Sequence, residues 1–211
     1  MSRTQSIALA AVVAIVAVAS GFLSARWLLM HRGGSQPAVA TATLLAPPRP
    51  LPPLALVDQD NRPFGADRLR GVWSFVFFGF TSCPDVCPVT MSALAQTRKL
   101  LADLPEASRP QVVMISVDPQ RDTPERLAGY VKAFDPAFVG ATGTKAAIDE
   151  LAQRMGVLVA TRPLEGDNYT VDHTTSVFLV DPNGALRALF SAPHTPQLIA
   201  EDYRRIAAAG T

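Results

Sequence analysis

Residues Phe75 to Thr90 read FVFFGFTSCPDVCPVT, and this stretch decides the architecture. Phe75 to Phe80 is an unbroken apolar and aromatic run, the composition of a buried strand. A Thr-Ser pair ends it, and the only two cysteines of the chain, Cys83 and Cys87, follow at once. Pro84 and Pro88 punctuate the turn, and Val89, Leu94, Leu100, Leu101 and Leu104 then recur at helical spacing. A strand that feeds a helix places both cysteines in the connecting loop and first helical turn. If that turn is helical, the i, i+4 spacing points their side chains the same way. The unpaired N–H groups and positive dipole of a helix start favour thiolate over thiol there. Two readily ionised sulfurs side by side suit reversible disulfide chemistry, or the grip of a soft metal such as Cu(I). A purely structural disulfide is a weaker explanation, because so short a loop restrains the unfolded chain little.

Composition narrows the function further. The 211 residues carry a formal net charge of +1, which gives no electrostatic case for a strongly charged partner. No basic patch with interleaved aromatics is present, so nucleic-acid binding is not expected. Two cysteines confined to one motif are not the pattern of a disulfide-rich secreted scaffold. They are compatible with an oxidising compartment in which a reductant keeps the pair reduced.

Outward from the motif, the N-terminus reads as a membrane segment. Ile7 to Ala25 carries no charge over about nineteen positions, close to the ~20 that cross a bilayer. Arg3 and Arg26 flank the run and Trp27 suits an interface. Ala17-Val18-Ala19 offers a small-x-small cleavage site, but apolar residues continue to Leu29. Residues 1–30 therefore read as one uncleaved transmembrane helix rather than a signal peptide. Gly33 to Pro53, with Pro47-Pro48 and Pro52-Pro53, reads as a semi-extended linker outside the core (residues 31–53). The globular domain is expected over residues 54–211.

Within that domain Leu56-Val57 and Arg62-Pro63-Phe64 flank a turn and read as a short hairpin. Gln111 to Val117 is a second buried strand. Thr123-Pro124 opens a helix running to about Phe134, with a cap residue and a proline at its first position. Thr144 to Met155 is another helix, and Gly156 to Thr161 a short strand. Ser176 to Val180 is the third central strand, joined by Asp181-Pro182-Asn183-Gly184 to a hairpin partner at Ala185 to Phe190. Thr195 to Ala209 closes the chain as an amphipathic helix. This order predicts an α/β fold, a thioredoxin-like mixed sheet flanked by helices.

Three histidines are available as a third ligand. His31 follows the membrane segment, and His194 at a helix start reads as a surface or capping residue. His173 stands in the loop entering the third central strand, which in this topology faces the cysteine turn. Thioredoxin-like proteins usually carry a cis-proline there; no proline stands between Tyr169 and Val180. Asp172 is a candidate to orient the imidazole, and a solvated loop carboxylate is the competing reading. Two thiolates and one imidazole suit copper in both oxidation states, whereas structural zinc would ask for a fourth protein ligand. The five methionines, Met91 among them, lack the clustering of a copper relay and read as core fillers.

Thr81-Ser82-Cys83-Pro84-Asp85-Val86-Cys87-Pro88 resembles the T-x-C-P-D-x-C-P motif of the SCO/SenC family of copper chaperones. Ser116-Val117-Asp118-Pro119 with Arg121-Asp122-Thr123-Pro124 is similar to that family's second block, and Tyr169 to Thr174 to its histidine block. The resemblance covers about Leu54 to Ala208. It implies one copper bound by Cys83, Cys87 and His173, with Asp85 and Asp172 as neighbouring candidates. It also implies delivery of that copper to the binuclear copper centre of cytochrome c oxidase, or reduction of the receiving cysteines. The partners implied are the oxidase subunit that carries that centre, an upstream copper donor and a thiol reductant. A short N-terminus without a long Arg- and Ser-rich transit segment suggests a bacterial inner-membrane protein, single-pass, with its domain in the periplasm. Two rival readings share the fold: a thiol-disulfide oxidoreductase using Cys83 and Cys87 as its catalytic redox pair, and a copper or redox sensor. The three-residue spacer between the cysteines and the imidazole at the cis-proline position weigh against the first.

Overall fold

The computed structural model describes residues 13–26, 37–166 and 168–210. It divides into two units, Met1–Pro37 and Ala38–Thr211. In the first unit residues 13–26 form a helix, α1, whose apolar side chains stand exposed, Val18 by 73% and Phe22 by 67%. Among the described residues no helix is long and apolar enough to cross a membrane. The predicted span begins at Ile7, so its first part, like His31, lies outside the described residues.

The second unit contains strands β1 (Ala42–Pro50), β2 (Leu56–Asp58), β3 (Pro63–Phe64), β4 (Ser74–Gly79), β5 (Gln111–Ser116), β6 (Val139–Thr142), β7 (Val159–Pro163), β8 (Tyr169–His173), β9 (Val177–Val180) and β10 (Ala185–Phe190). Its helices are α2 (Val86–Leu100), α3 (Pro124–Lys132), α4 (Lys145–Met155) and α5 (Pro196–Ala209). Eight strands form one sheet in the order β1-β10-β9-β4-β5-β6-β2-β3, and β7 and β8 pair apart as a ribbon. β4 runs parallel to β5 and β5 to β6, while β9 is antiparallel to β4. The sheet is mixed, as the order of elements requires.

β4 lies at the centre, and all six of its residues are buried, which its uninterrupted apolar run anticipates. Alternate residues serve opposite faces. Phe75 meets Tyr203 of α5 with ring centroids 5.6 Å apart, and a Cβ on Gly79 would stand 3.1 Å from the Cys87 sulfur of α2. Thus α2 and α5 cover the Phe75-Phe77-Gly79 face. In register with Phe77 lie Met114 and then Gly140, against which Leu127 and Val131 of α3 pack. Three helices therefore share that face. β6 escapes a propensity reading because it is four residues long and contains glycine and alanine. Gly140 is needed there, since a Cβ would approach the Leu127 side chain to 3.0 Å.

Local signals fix the helix ends. The Thr123 hydroxyl accepts the Arg126 N–H, with Pro124 at the first helical position, and the Thr144 hydroxyl accepts the Ala147 N–H. Gly156 ends α4 in the left-handed conformation, φ 74°.

The stretch read as a linker outside the core contains an edge strand. β1 pairs antiparallel with β10, from Ala42 opposite Phe190 to Pro50 opposite Ala185, with an irregularity between Leu44 and Arg49. Its prolines hid it, because proline removes ladder donors and is tolerated only at a sheet edge. Its start is held from a distance in sequence. The fully buried Asp202 carboxylate of α5 accepts the N–H groups of Ala40, Thr41 and Ala42 at 2.7 to 2.9 Å, and the Thr41 hydroxyl at 3.0 Å.

Desolvation opposes ionisation of Asp202, but the three backbone donors outweigh it and hold its carboxyl below the usual carboxylate range. Asp202→Ala is therefore expected to cost about 3 kcal/mol of stability at neutral pH in urea unfolding. Because the folded-state pKa is depressed, the wild-type advantage is full above the ordinary carboxylate value, about 3.9. It shrinks as pH falls through the lower folded value, so the gap between the two proteins should narrow in acid.

Candidate metal centre

Three elements bring the expected ligands together. Cys83 lies in the loop after β4, where its N–H donates to the Phe80 carbonyl at 3.2 Å in a tight turn. Cys87 lies in the first turn of α2, and its N–H points at the Cys83 sulfur, 3.4 Å away. His173 ends β8, and its Nε2 is 3.3 Å from the Cys87 sulfur. The three donor atoms all lie within 4.8 Å of one another, and both cysteines are free thiols. Among the described residues this is the one group of three or more His, Cys, Asp or Glu side chains placed to share a metal ion.

The imidazole is fixed on several sides. Its Nδ1 lies 3.0 Å from the Thr174 carbonyl. A carbonyl only accepts, so Nδ1 carries the ring proton and Nε2 keeps its lone pair toward the sulfurs. Phe77 and Phe80 present their rings edge-on at 5.8 and 6.0 Å. Burial pushes the His173 pKa down, which favours the neutral imidazole a metal requires. The residue reads as a loop residue in the sequence but ends a paired strand: Val159 of β7 stands opposite it.

The neighbouring acidic candidates are placed differently. Asp172 points to the solvent side of β8 and its carboxylate is taken by Arg162 in a two-pronged ion pair. The Thr174 carbonyl, not Asp172, receives the imidazole proton. Asp85 occupies the N-cap position of α2, exposed, with no side-chain cap bond. The expected easing of ionisation at the helix start is also overturned for Cys87. This thiol is fully buried, and desolvation pushes its pKa far up, with the neighbouring Cys83 adding to the rise. Burial outweighs the dipole here. Gly79 makes that burial possible, since any side chain at that position would crowd the Cys87 sulfur.

The second sequence block proves to be the scaffold of the site. Asp122, fully buried, accepts the Thr81 N–H at 3.0 Å, the Thr81 hydroxyl at 2.6 Å and the Ser116 hydroxyl at 2.6 Å. Arg126 reaches the same loop, donating to the Thr81 hydroxyl at 2.7 Å and the Ser82 hydroxyl at 2.9 Å. Asp118 and Arg121 hold the histidine ribbon instead. The Tyr169 hydroxyl donates to Asp118 at 2.7 Å, and Arg121 pairs with Asp118. Arg121 also donates to the Tyr169 carbonyl at 3.0 Å and stacks 3.8 Å above its ring. One short segment, residues 116–126, thus clamps both the cysteine loop and the strand that ends in His173. No periodicity reveals these roles, because each depends on a contact across at least forty residues or on a turn geometry.

Asp122→Ala is expected to destabilise the protein by about 3 kcal/mol, because it leaves the Thr81 N–H and the Ser116 hydroxyl buried without an acceptor. Amide hydrogen exchange at Thr81 should accelerate more than at β5, which checks that the loss is local to the cysteine loop.

With this geometry in place, comparison with known proteins is specific. Residues 46–208 match the SCO1/SenC family model. A protein of Stutzerimonas stutzeri is 41% identical over 157 residues, spanning 73% of this chain and 75% of that one. The crystal structure of Arabidopsis thaliana ScoI with copper bound superposes with a TM-score of 0.70 at 29% identity, covering 74% of this chain and 98% of that one. Bradyrhizobium japonicum ScoI with copper bound superposes at 0.68 and 32% identity, covering 74% and 99%. Three converging donors and a family match over most of the domain agree: this chain belongs to the SCO1/SenC family.

Proposed function

We propose that this protein is a membrane-tethered copper chaperone. It would hold one copper through Cys83, Cys87 and His173 and pass it to the binuclear copper centre of cytochrome c oxidase. The observation that carries the reading is the convergence of two thiol sulfurs and an imidazole Nε2 within 4.8 Å. That donor set is soft enough for Cu(I), and its nitrogen accommodates Cu(II). Support for copper comes from the relatives that hold it. Support for a tether comes from the apolar run Ile7 to Ala25, and the inner membrane with a periplasmic domain is the location that fits it.

The unequal burial of the sulfurs suggests how the metal would move. Cys83 is half-buried and Cys87 is not exposed at all. An incoming thiolate would displace Cys83 first, while Cys87 and His173 retain the metal until a second partner ligand arrives. Oxidation of the pair to a disulfide, with two electrons and two protons passed to an acceptor, would remove two of the three donors. Loading would then depend on redox state. Partners of matching chemistry are an upstream copper donor, a thiol reductant and the oxidase subunit that receives the metal.

Anaerobic Cu(I) titration of the reduced full-length protein in detergent should saturate at one tightly held copper per chain, and Cys83→Ala should abolish it. Undiminished binding by that variant would refute the site. His173→Ala should weaken Cu(II) by roughly 10- to 100-fold and Cu(I) markedly less, because the two sulfurs suffice for the softer ion. Competition titrations with both oxidation states check this, and equal losses would contradict the assigned roles.

A further inference from the structure

His194 follows β10 and reads from sequence as a surface or capping residue, yet it is half-buried, and Thr195 occupies the cap position of α5 without a side-chain bond. Its Nε2 lies 2.9 Å from the Thr175 carbonyl. Its Nδ1 is buried with no hydrogen-bond partner among the described residues. A proton on Nδ1 would be a buried donor without an acceptor, so the ring holds one proton, on Nε2, donated to Thr175. The position keeps an unsatisfied nitrogen in return for that single bond.

The bond lands next to the metal centre. The carbonyl before it, that of Thr174, is the one that receives the His173 proton at 3.0 Å. Successive carbonyls are separated by two soft dihedrals only, so fixing the Thr175 carbonyl limits the swing of the Thr174 carbonyl. From the other side the Thr174 N–H donates to the Leu158 carbonyl at 3.0 Å, and its hydroxyl accepts the Leu158 N–H at 2.9 Å. We propose that His194 is a positioning residue: through the Thr175 carbonyl it holds the Thr174 carbonyl in place, and so sets the tautomer and direction of His173. The inference rests on the copper-binding reading for its consequence, but its structural content holds in the metal-free protein.

The test uses full-length reduced protein in detergent with 15N-labelled histidine, and reads side-chain nitrogen NMR first without metal. Wild type should show His173 protonated on Nδ1 and His194 on Nε2. In His194→Ala the His173 nitrogens should shift toward the average of two tautomers. Cu(II) affinity should fall about 10-fold with a moved thiolate-to-copper absorption band, the loss typical of a group that orients a ligand. His194→Gln, whose amide can donate to Thr175, should recover most of both signals. His173 nitrogens and an absorption band unchanged in His194→Ala would overturn the inference. So would a wild-type His194 protonated on Nδ1, a result that needs no variant to fold. Absence of copper binding by wild type would defeat the chaperone reading, and the nitrogen signals would still decide the role of His194.

Discussion

A fully buried carboxylate must find donors, and Asp122 finds them at the tip of β5 and in the loop that leaves β4. β4 and β5 are adjacent parallel strands whose C-terminal ends lie side by side, so the loops that leave them meet. Without a bridge those loops would have no reason to hold one geometry. Asp122 supplies it, and Cys83 stands two residues beyond the threonine it grips. Asp118 and Arg121, in the same turn, extend the hold to Tyr169 and so to the strand that ends in His173. The cysteine turn and His173 lie 86 residues apart in sequence, and this one segment makes polar contacts to the elements that carry both.

Two electrostatic effects compete at Cys87, and their magnitudes decide the outcome. A helix start offers roughly half a unit of positive charge, worth about 1 kcal/mol at a partly exposed site. Full burial of a thiolate costs several times that in the absence of a cation. Burial accordingly favours the thiol form of Cys87 beneath Gly79, facing the His173 Nε2. A metal cation would reverse the balance, since it supplies the missing charge at the sulfur itself. Capture of a metal at this residue would then release its proton.

The sequence made much of this visible, for identifiable reasons. The buried strand Phe75 to Phe80, the proline-opened helix at Thr123-Pro124 and the hairpin at Asp181 to Gly184 carry signals that act within a few residues. The two cysteines and His173 were legible because their chemistry is rare in this chain and the topology leaves one place for them to meet. β6 was not legible, because Gly140 owes its presence to the close approach of Leu127 and Val131 rather than to strand propensity. β1 was masked by its own prolines. Asp202, Asp122 and His194 act across long stretches of chain, and nothing in local pattern distinguishes them from surface residues. Asp172 illustrates the opposite error: adjacency to the ligand suggested a role, but strand alternation turns it outward to Arg162.

The irregular, proline-bearing strand β1 also shapes the outer margin of the sheet. The outer margin of a sheet presents a row of open hydrogen-bonding groups to which a strand from any other chain can add. Pro47, Pro48 and Pro50 have no N–H to offer, and the irregularity between Leu44 and Arg49 breaks the ladder's spacing. The opposite margin, β3, is two residues long and gives a visitor almost nothing to pair with. Neither margin of the eight-stranded sheet thereby offers an incoming strand a regular ladder of hydrogen-bonding groups.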